Sequence, residues 1–70
     1  MLNMKNIQEA LKKYRLKNGL TYRELAKKAG IPAATIYPIC MGEQMPHELT
    51  RYAIETNIPD LYESLNDARS

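Results

Sequence analysis

Apolar residues recur along this chain at helical spacing. Ile7, Ala10, Leu11 and Tyr14 fall at i, i+3, i+4 and i+7, an inward stripe that predicts a first helix from Ile7 to Lys17. Asn6 and Glu9 supply an N-x-x-E cap before it, Asn18-Gly19 ends it, and Leu20 is placed to pack beneath the turn. Leu25, Ala26 and Ala29 share one face of a second helix from Tyr22 to Ala29. Thr21 and Glu24 form a T-x-x-E capping box at its start, in which each side chain satisfies a backbone N–H that the helix start leaves free. Gly30 turns the chain, and Ile36 and Ile39 are the buried pair of a third helix from about Ala33 to Cys40. A loop from Gly42 to Pro46 precedes a fourth helix, His47 to Thr56, with Leu49, Tyr52 and Ala53 inward and Asn57 as a left-handed C-cap. Ile58 packs into the core. Pro59-Asp60 opens a short fifth helix carrying Leu61, Tyr62 and Leu65. The pattern predicts one domain over residues 1–66 and a short flexible tail over 67–70.

The two central helices and the glycine between them have the logic of a helix-turn-helix. Small Ala26 lets the helices approach closely, Gly30 adopts the left-handed turn with no Cβ penalty, and Ile36 and Ile39 lock the second helix across the first. Pro38 disturbs this plan. Inside a helix, proline removes one backbone bond and its ring clashes with the carbonyl four residues back, here that of Ala34, at a cost of about 3 kcal/mol. Either the third helix starts late, near Thr35, so that Pro38 falls in the tolerant first turn, or it kinks at Pro38.

The stretch LKKYRLKNGLTYRELAKKAGI, followed by Thr35, Ile36, Gly42 and Pro46, resembles the Cro/C1-type (XRE-like) helix-turn-helix proteins, which include the small phage repressors and Cro proteins. The resemblance runs roughly from Ile7 to Leu65. It implies an all-α fold: a compact five-helix, lambda-repressor-like DNA-binding domain whose third helix lies in the major groove. By resemblance the base-reading positions are Ala33, Ala34, Tyr37 and Pro38. None of them is Gln, Asn, Arg or Lys. Ala33 and Ala34 suit thymine methyls, and Tyr37 suits a phosphate or a base. Phosphate candidates are Thr21, Tyr22 and Arg23 at the start of the second helix, where free N–H groups and the positive dipole end meet an anion, together with Lys12, Lys17 and Arg15.

Three departures from the family stand out. An arginine at the position of Arg15 often pairs there with a glutamate near the end of the third helix, and that position is Cys40 here. Arg15 is therefore expected to reach solvent, Glu43 or a phosphate rather than stay buried unpaired. Tyr22 stands where the family often has Gln, and Met41 where it often has a phosphate-binding Asn. Dimer contacts in such proteins tend to involve the fourth and fifth helices, which here suggests Tyr52, Ile58, Leu61 and Tyr62.

Charge sharpens this reading. The net charge of +2 conceals a division: residues 1–35 hold eight Lys and Arg against two Glu, a net +6, and residues 36–70 hold two Arg against six acids, a net −4. A basic half suits a phosphate backbone, although a solvated helical surface is charged in any case. Seventy residues give a small core and modest stability. No run is long enough for a membrane span, and MLNMKNIQEA lacks the apolar core of a signal peptide. The single Cys40 fits a reducing, cytoplasmic setting, and one Cys with one His does not make a metal site.

No Ser/His/Asp or Cys/His set, paired carboxylates or phosphate-cradling loop is visible, so the chain reads as a non-enzyme with no cofactor. His47 reads as a surface or capping residue. Two functions follow. One is a sequence-specific DNA-binding regulator of the phage or plasmid repressor type, binding a double-stranded operator, with two copies on a roughly palindromic site. The other keeps the scaffold but turns the apolar face of Tyr37, Pro38, Met41 and Met45 to a protein, such as a cognate phage repressor, as a modulator or antirepressor. Met41 and Met45 would otherwise tuck under the loop as gap-fillers.

Overall fold

The computed structural model describes residues 4–66. It is all-α: α1 (Met4–Lys17), α2 (Tyr22–Ala29), α3 (Ala33–Cys40), α4 (Glu48–Asn57) and α5 (Glu63–Asn66). The expected tail over 67–70 lies outside the described residues. α1 packs against α3 and α5, and α2 against α3 and α4. Ile7, Leu11, Leu25, Ile36, Ile39, Ile54, Ile58 and Leu61 fill the core between them. At about 25 cal/mol per Å² of apolar surface, such side chains each contribute on the order of 2 kcal/mol, so this short list carries most of the hydrophobic stabilisation.

The α2 boundaries follow from the residues that predicted them. Thr21 Oγ1 accepts from the Glu24 N–H at 3.1 Å, and the Glu24 carboxylate accepts from the Thr21 N–H at 2.8 Å. At the other end Gly30 sits at φ 72°, ψ 26°. Its N–H donates to the Lys27 carbonyl at 3.2 Å, and the Ile31 N–H reaches the Ala26 carbonyl at 3.0 Å, the Schellman closure that needs a left-handed residue. The same closure ends α1 at Gly19 and α3 at Gly42.

Several expectations need correction. α1 is already helical at Met4, the first described residue, rather than from Ile7, so Asn6 lies within the helix and not at its N-cap position. α4 is rotated from its expected register. It buries Ile54 and leaves Leu49 82% and Tyr52 68% exposed. Four apolar residues compete for the inner face here, and the one that wins shares a side with Thr50, Ala53 and Asn57, turned toward α2. Asn57 is not a left-handed cap; its Nδ2 instead donates to the Ala29 carbonyl at 2.7 Å, tying the end of α4 to the end of α2. The fifth helix starts later than expected. Residues 59–62 form a turn that buries Leu61, and α5 occupies Glu63–Asn66. The Tyr62 hydroxyl donates to Glu55 Oε2 at 2.5 Å; burial, and then that bond, hold the phenol protonated well above its ordinary range.

Candidate nucleic-acid interface

The turn between α2 and α3 sets the two helices so that one surface carries the start of α2 and the outer face of α3. Ala34, Tyr37, Pro38 and Met41 lie on that face at helical spacing. Ala34 is exposed, Tyr37 is 47% and Met41 43% exposed, and Pro38 is half-buried. Ala33 turns partly inward against the core. α3 does not start late: it runs Ala33–Cys40 with Pro38 inside it. The Thr35 and Ile36 N–H groups both reach the Pro32 carbonyl, at 2.9 and 3.0 Å, so the first turn is formed before Pro38. The Pro38 carbonyl accepts from Glu43 at 2.9 Å and Gln44 at 3.3 Å, closing the far end. Only the one bond toward Ala34 is forgone.

Side chains from three helices, together with Met41 just past the end of α3, meet beside this face. The Arg15 guanidinium carbon stands 4.2 Å from the centroid of the Tyr22 ring. The Tyr22 and Tyr37 rings meet edge to face, with centroids 5.0 Å apart and planes at 81°. The Tyr22 hydroxyl points to the Met41 sulfur at 3.9 Å. Arg15 thus does not pair with Glu43 and turns only partly to solvent. It stays half-buried, Nη1 donating to the Leu20 carbonyl at 3.0 Å, with Nε buried and without a partner among the described residues. A stacked guanidinium is worth about 0.5–2 kcal/mol on an aromatic face, which compensates in part for the unpaired N–H. The partner is Tyr22, the residue in place of the family's glutamine. That substitution, read together with the loss of a carboxylate at Cys40, was the available signal.

The other phosphate candidates are placed variously. The capping box occupies the Thr21 hydroxyl and backbone N–H, leaving the N–H groups of Tyr22 and Arg23 for an outside acceptor. Arg23, Lys12 and Lys17 have exposed side chains. Of the dimer candidates, Ile58 and Leu61 are buried in the core and present no surface to a second copy, Tyr62 is half-buried on Glu55, and Tyr52 is exposed. Met41 and Met45 are exposed and do not tuck under the loop. His47 occupies the N-cap position of α4 without a side-chain capping bond. Among the described residues no three His, Cys, Asp or Glu side chains are grouped to hold a metal, and no helix is long and apolar enough to cross a membrane.

Cys40 lies buried at the end of α3, and burial pushes its thiol up to about 11, against the opposing charges of Arg15 and Lys12. The folded state thus favours the protonated thiol. Its contribution is fully present below the unfolded thiol's value, roughly 8.5–9, and is lost as pH rises from there toward about 11. Urea unfolding at pH 8 and pH 10.5 should show a larger loss of stability for the native chain than for Cys40→Ala, by up to about 1.4 kcal/mol per pH unit across that window. Equal losses would place the thiol in solvent.

A model of the helix-turn-helix family matches residues 11–55, from the middle of α1 almost to the end of α4. Neither a curated protein nor a solved structure matches the chain.

Proposed function

Because the chain belongs to the XRE-type, Cro/C1-like helix-turn-helix family of DNA-binding transcription regulators, we propose that it is a sequence-specific repressor of the phage or plasmid kind. The observation that carries this reading is the shared surface of α2 and α3. The outer face of α3, Ala34 and Tyr37 foremost, meets the base edges of the major groove, and the Tyr22 and Arg23 N–H groups at the start of α2 hold a backbone phosphate. Lys12 and Lys17 add charge on the basic half. Two copies occupy half-sites about one helical turn apart. Tyr52, with its exposed neighbour Leu49, is the pair on α4 available to a second copy.

An amide-shift titration of the labelled chain with a short generic duplex tests this without knowledge of the operator. Non-specific electrostatic binding at low salt should move Thr21 to Arg23 and residues 33–37 and fade at physiological salt. Absence of shifts at low salt would sink the reading. Lys12→Ala should weaken binding to all duplexes alike and lower the slope of log affinity against log salt by about one. An unchanged slope would remove Lys12 from the interface.

The exposed Tyr37 and Met41 favour a second reading, a protein-binding modulator of a cognate repressor. Reversing charge at Lys12 and Arg23 separates the two. It should abolish DNA binding but leave an apolar protein contact nearly intact, whereas Tyr37→Ala should damage the protein complex most.

A further inference from the structure

The outer face of α3 lacks the groups that usually tell base pairs apart. Reading a base pair by hydrogen bonds takes a bidentate side chain, Arg or Lys for guanine and Asn or Gln for adenine. The helix Ala-Ala-Thr-Ile-Tyr-Pro-Ile-Cys has none. Its only side-chain hydroxyls are those of Thr35, which is half-buried, and Tyr37. An apolar face laid against guanine O6 and N7, or against the cytosine amino group, strips them of water and returns nothing, a cost the complex would carry at each such pair. Thymine differs, because its major-groove edge carries a methyl group that gains from apolar contact.

The geometry also fixes how that face is held. Tyr37 projects from the middle of α3 with its hydroxyl unpartnered among the described residues. Its ring is set at right angles to Tyr22, itself covered on one side by Arg15 and braced at its hydroxyl by Met41. The exposed aromatic is thus restrained by a neighbour from α2 and a cation from α1, and little ordering remains to be done when DNA arrives.

We propose that Ala34, Tyr37 and Pro38 select DNA by the 5-methyl groups of thymine, with Tyr22 and Arg15 as the positioning residues that aim Tyr37. This rests on the DNA-binding reading above and names what that face recognises. Arg15 acts here through the Tyr22 ring, not by touching a phosphate.

The test uses the full chain and a pool of duplexes with a randomised 20-base-pair centre. Selection should enrich half-sites with thymines facing α3. In an enriched duplex, replacing one such thymine by uracil removes only the methyl group and should weaken binding about fourfold, the equivalent of one buried CH₂. At a position where cytosine is tolerated, 5-methylcytosine should bind more tightly than cytosine by a similar factor. Affinity indifferent to uracil at every position would overturn the proposal while leaving DNA binding in place. Enrichment of no sequence, with no binding at low salt, would overturn the DNA reading and this one with it. Arg15→Met, checked for folding by its melting curve, should flatten the selected sequence preference at an unchanged salt slope. A salt slope lowered by about one with the preference retained would instead make Arg15 a phosphate ligand. Should Arg15→Met fail to fold, Tyr22→Leu serves in its place, with Tyr22→Phe as the control that keeps the ring and the preference.

Discussion

Ala34→Glu should abolish specific DNA binding, by at least about 100-fold, and leave the fold as stable as before or slightly more so. The two halves of that expectation come from the same position. Ala34 is the second residue of α3, whose first turn carries no acidic group. A carboxylate there meets the positive end of the helix dipole and should contribute about 0.3–1 kcal/mol to stability. Its side chain is exposed, so no core contact is disturbed. Against DNA the same carboxylate faces a surface of one sign. Like charges set against each other at an interface cost several kcal/mol, and each 1.4 kcal/mol is a factor of ten. Ala34→Gln has the same bulk without charge and adds a bidentate group, so it should bind with an altered preference for adenine. A melting curve beside a fluorescence-anisotropy titration of both variants checks this. Unchanged binding by Ala34→Glu would remove α3 from the groove.

The second large effect concerns the turn. Gly30→Ala should destabilise the domain by about 2–5 kcal/mol. A left-handed alanine costs roughly 1–2 kcal/mol. In addition, its Cβ would stand 2.8 Å from Asn57 Nδ2, the group that donates to the Ala29 carbonyl at 2.7 Å. The amide can swing away only by giving up that bond, and a buried acceptor left unpaired costs about 1–3 kcal/mol. For a domain of this size the total stability is on the order of 3–10 kcal/mol, so the melting temperature should fall by about 10 °C or more. Asn57→Ala separates the two causes. In its background Gly30→Ala meets no amide and should cost only the backbone term, so the double variant should be more stable than the sum of the single ones predicts. Strict additivity in urea unfolding would show that the contact with Asn57 plays no part.

Much of this fold was legible because its signals are local. The Thr21–Glu24 box and Gly30 each need only a few neighbouring residues, and they fixed α2 to the residue. The buried face of α3, Ile36 and Ile39, was likewise readable, but Pro38 left its start open between Ala33 and Thr35. Signals failed where the decision lies across the chain. In α4, Leu49, Tyr52, Ala53 and Ile54 offer competing inward faces, and the choice is made by packing against α2, with Asn57 closing on Ala29. Leu61 reads as an interface candidate because the chain alone does not say that the turn over residues 59–62 folds it inward, whereas Ile58, also named for dimer contact, packs into the core as the sequence indicates. Arg15 shows the same limit at the site. That Cys40 stands where the resembling family often has a paired glutamate was visible in the sequence, but the partner Arg15 finds, Tyr22, stands seven residues along and beyond a turn, where helical periodicity no longer orders side chains. The family assignment rests on the matched span from 11 to 55.

The closure at Gly42 has a bearing on how such a chain can change its length. α3 completes its own end through the Gly42 and Glu43 N–H groups, residues 43–45 are exposed, and Pro46 is buried. The Gln44 N–H also reaches the Pro38 carbonyl, so the helix above and the anchor below are settled with only Met45 left between them. Doubling a loop costs only about 0.6 kcal/mol in closure entropy. Insertions at this point are thus nearly neutral for folding, and they lengthen the chain beside the surface proposed to face DNA without moving α2 or α3. New contacts can be tried there while α2 and α3 stay fixed.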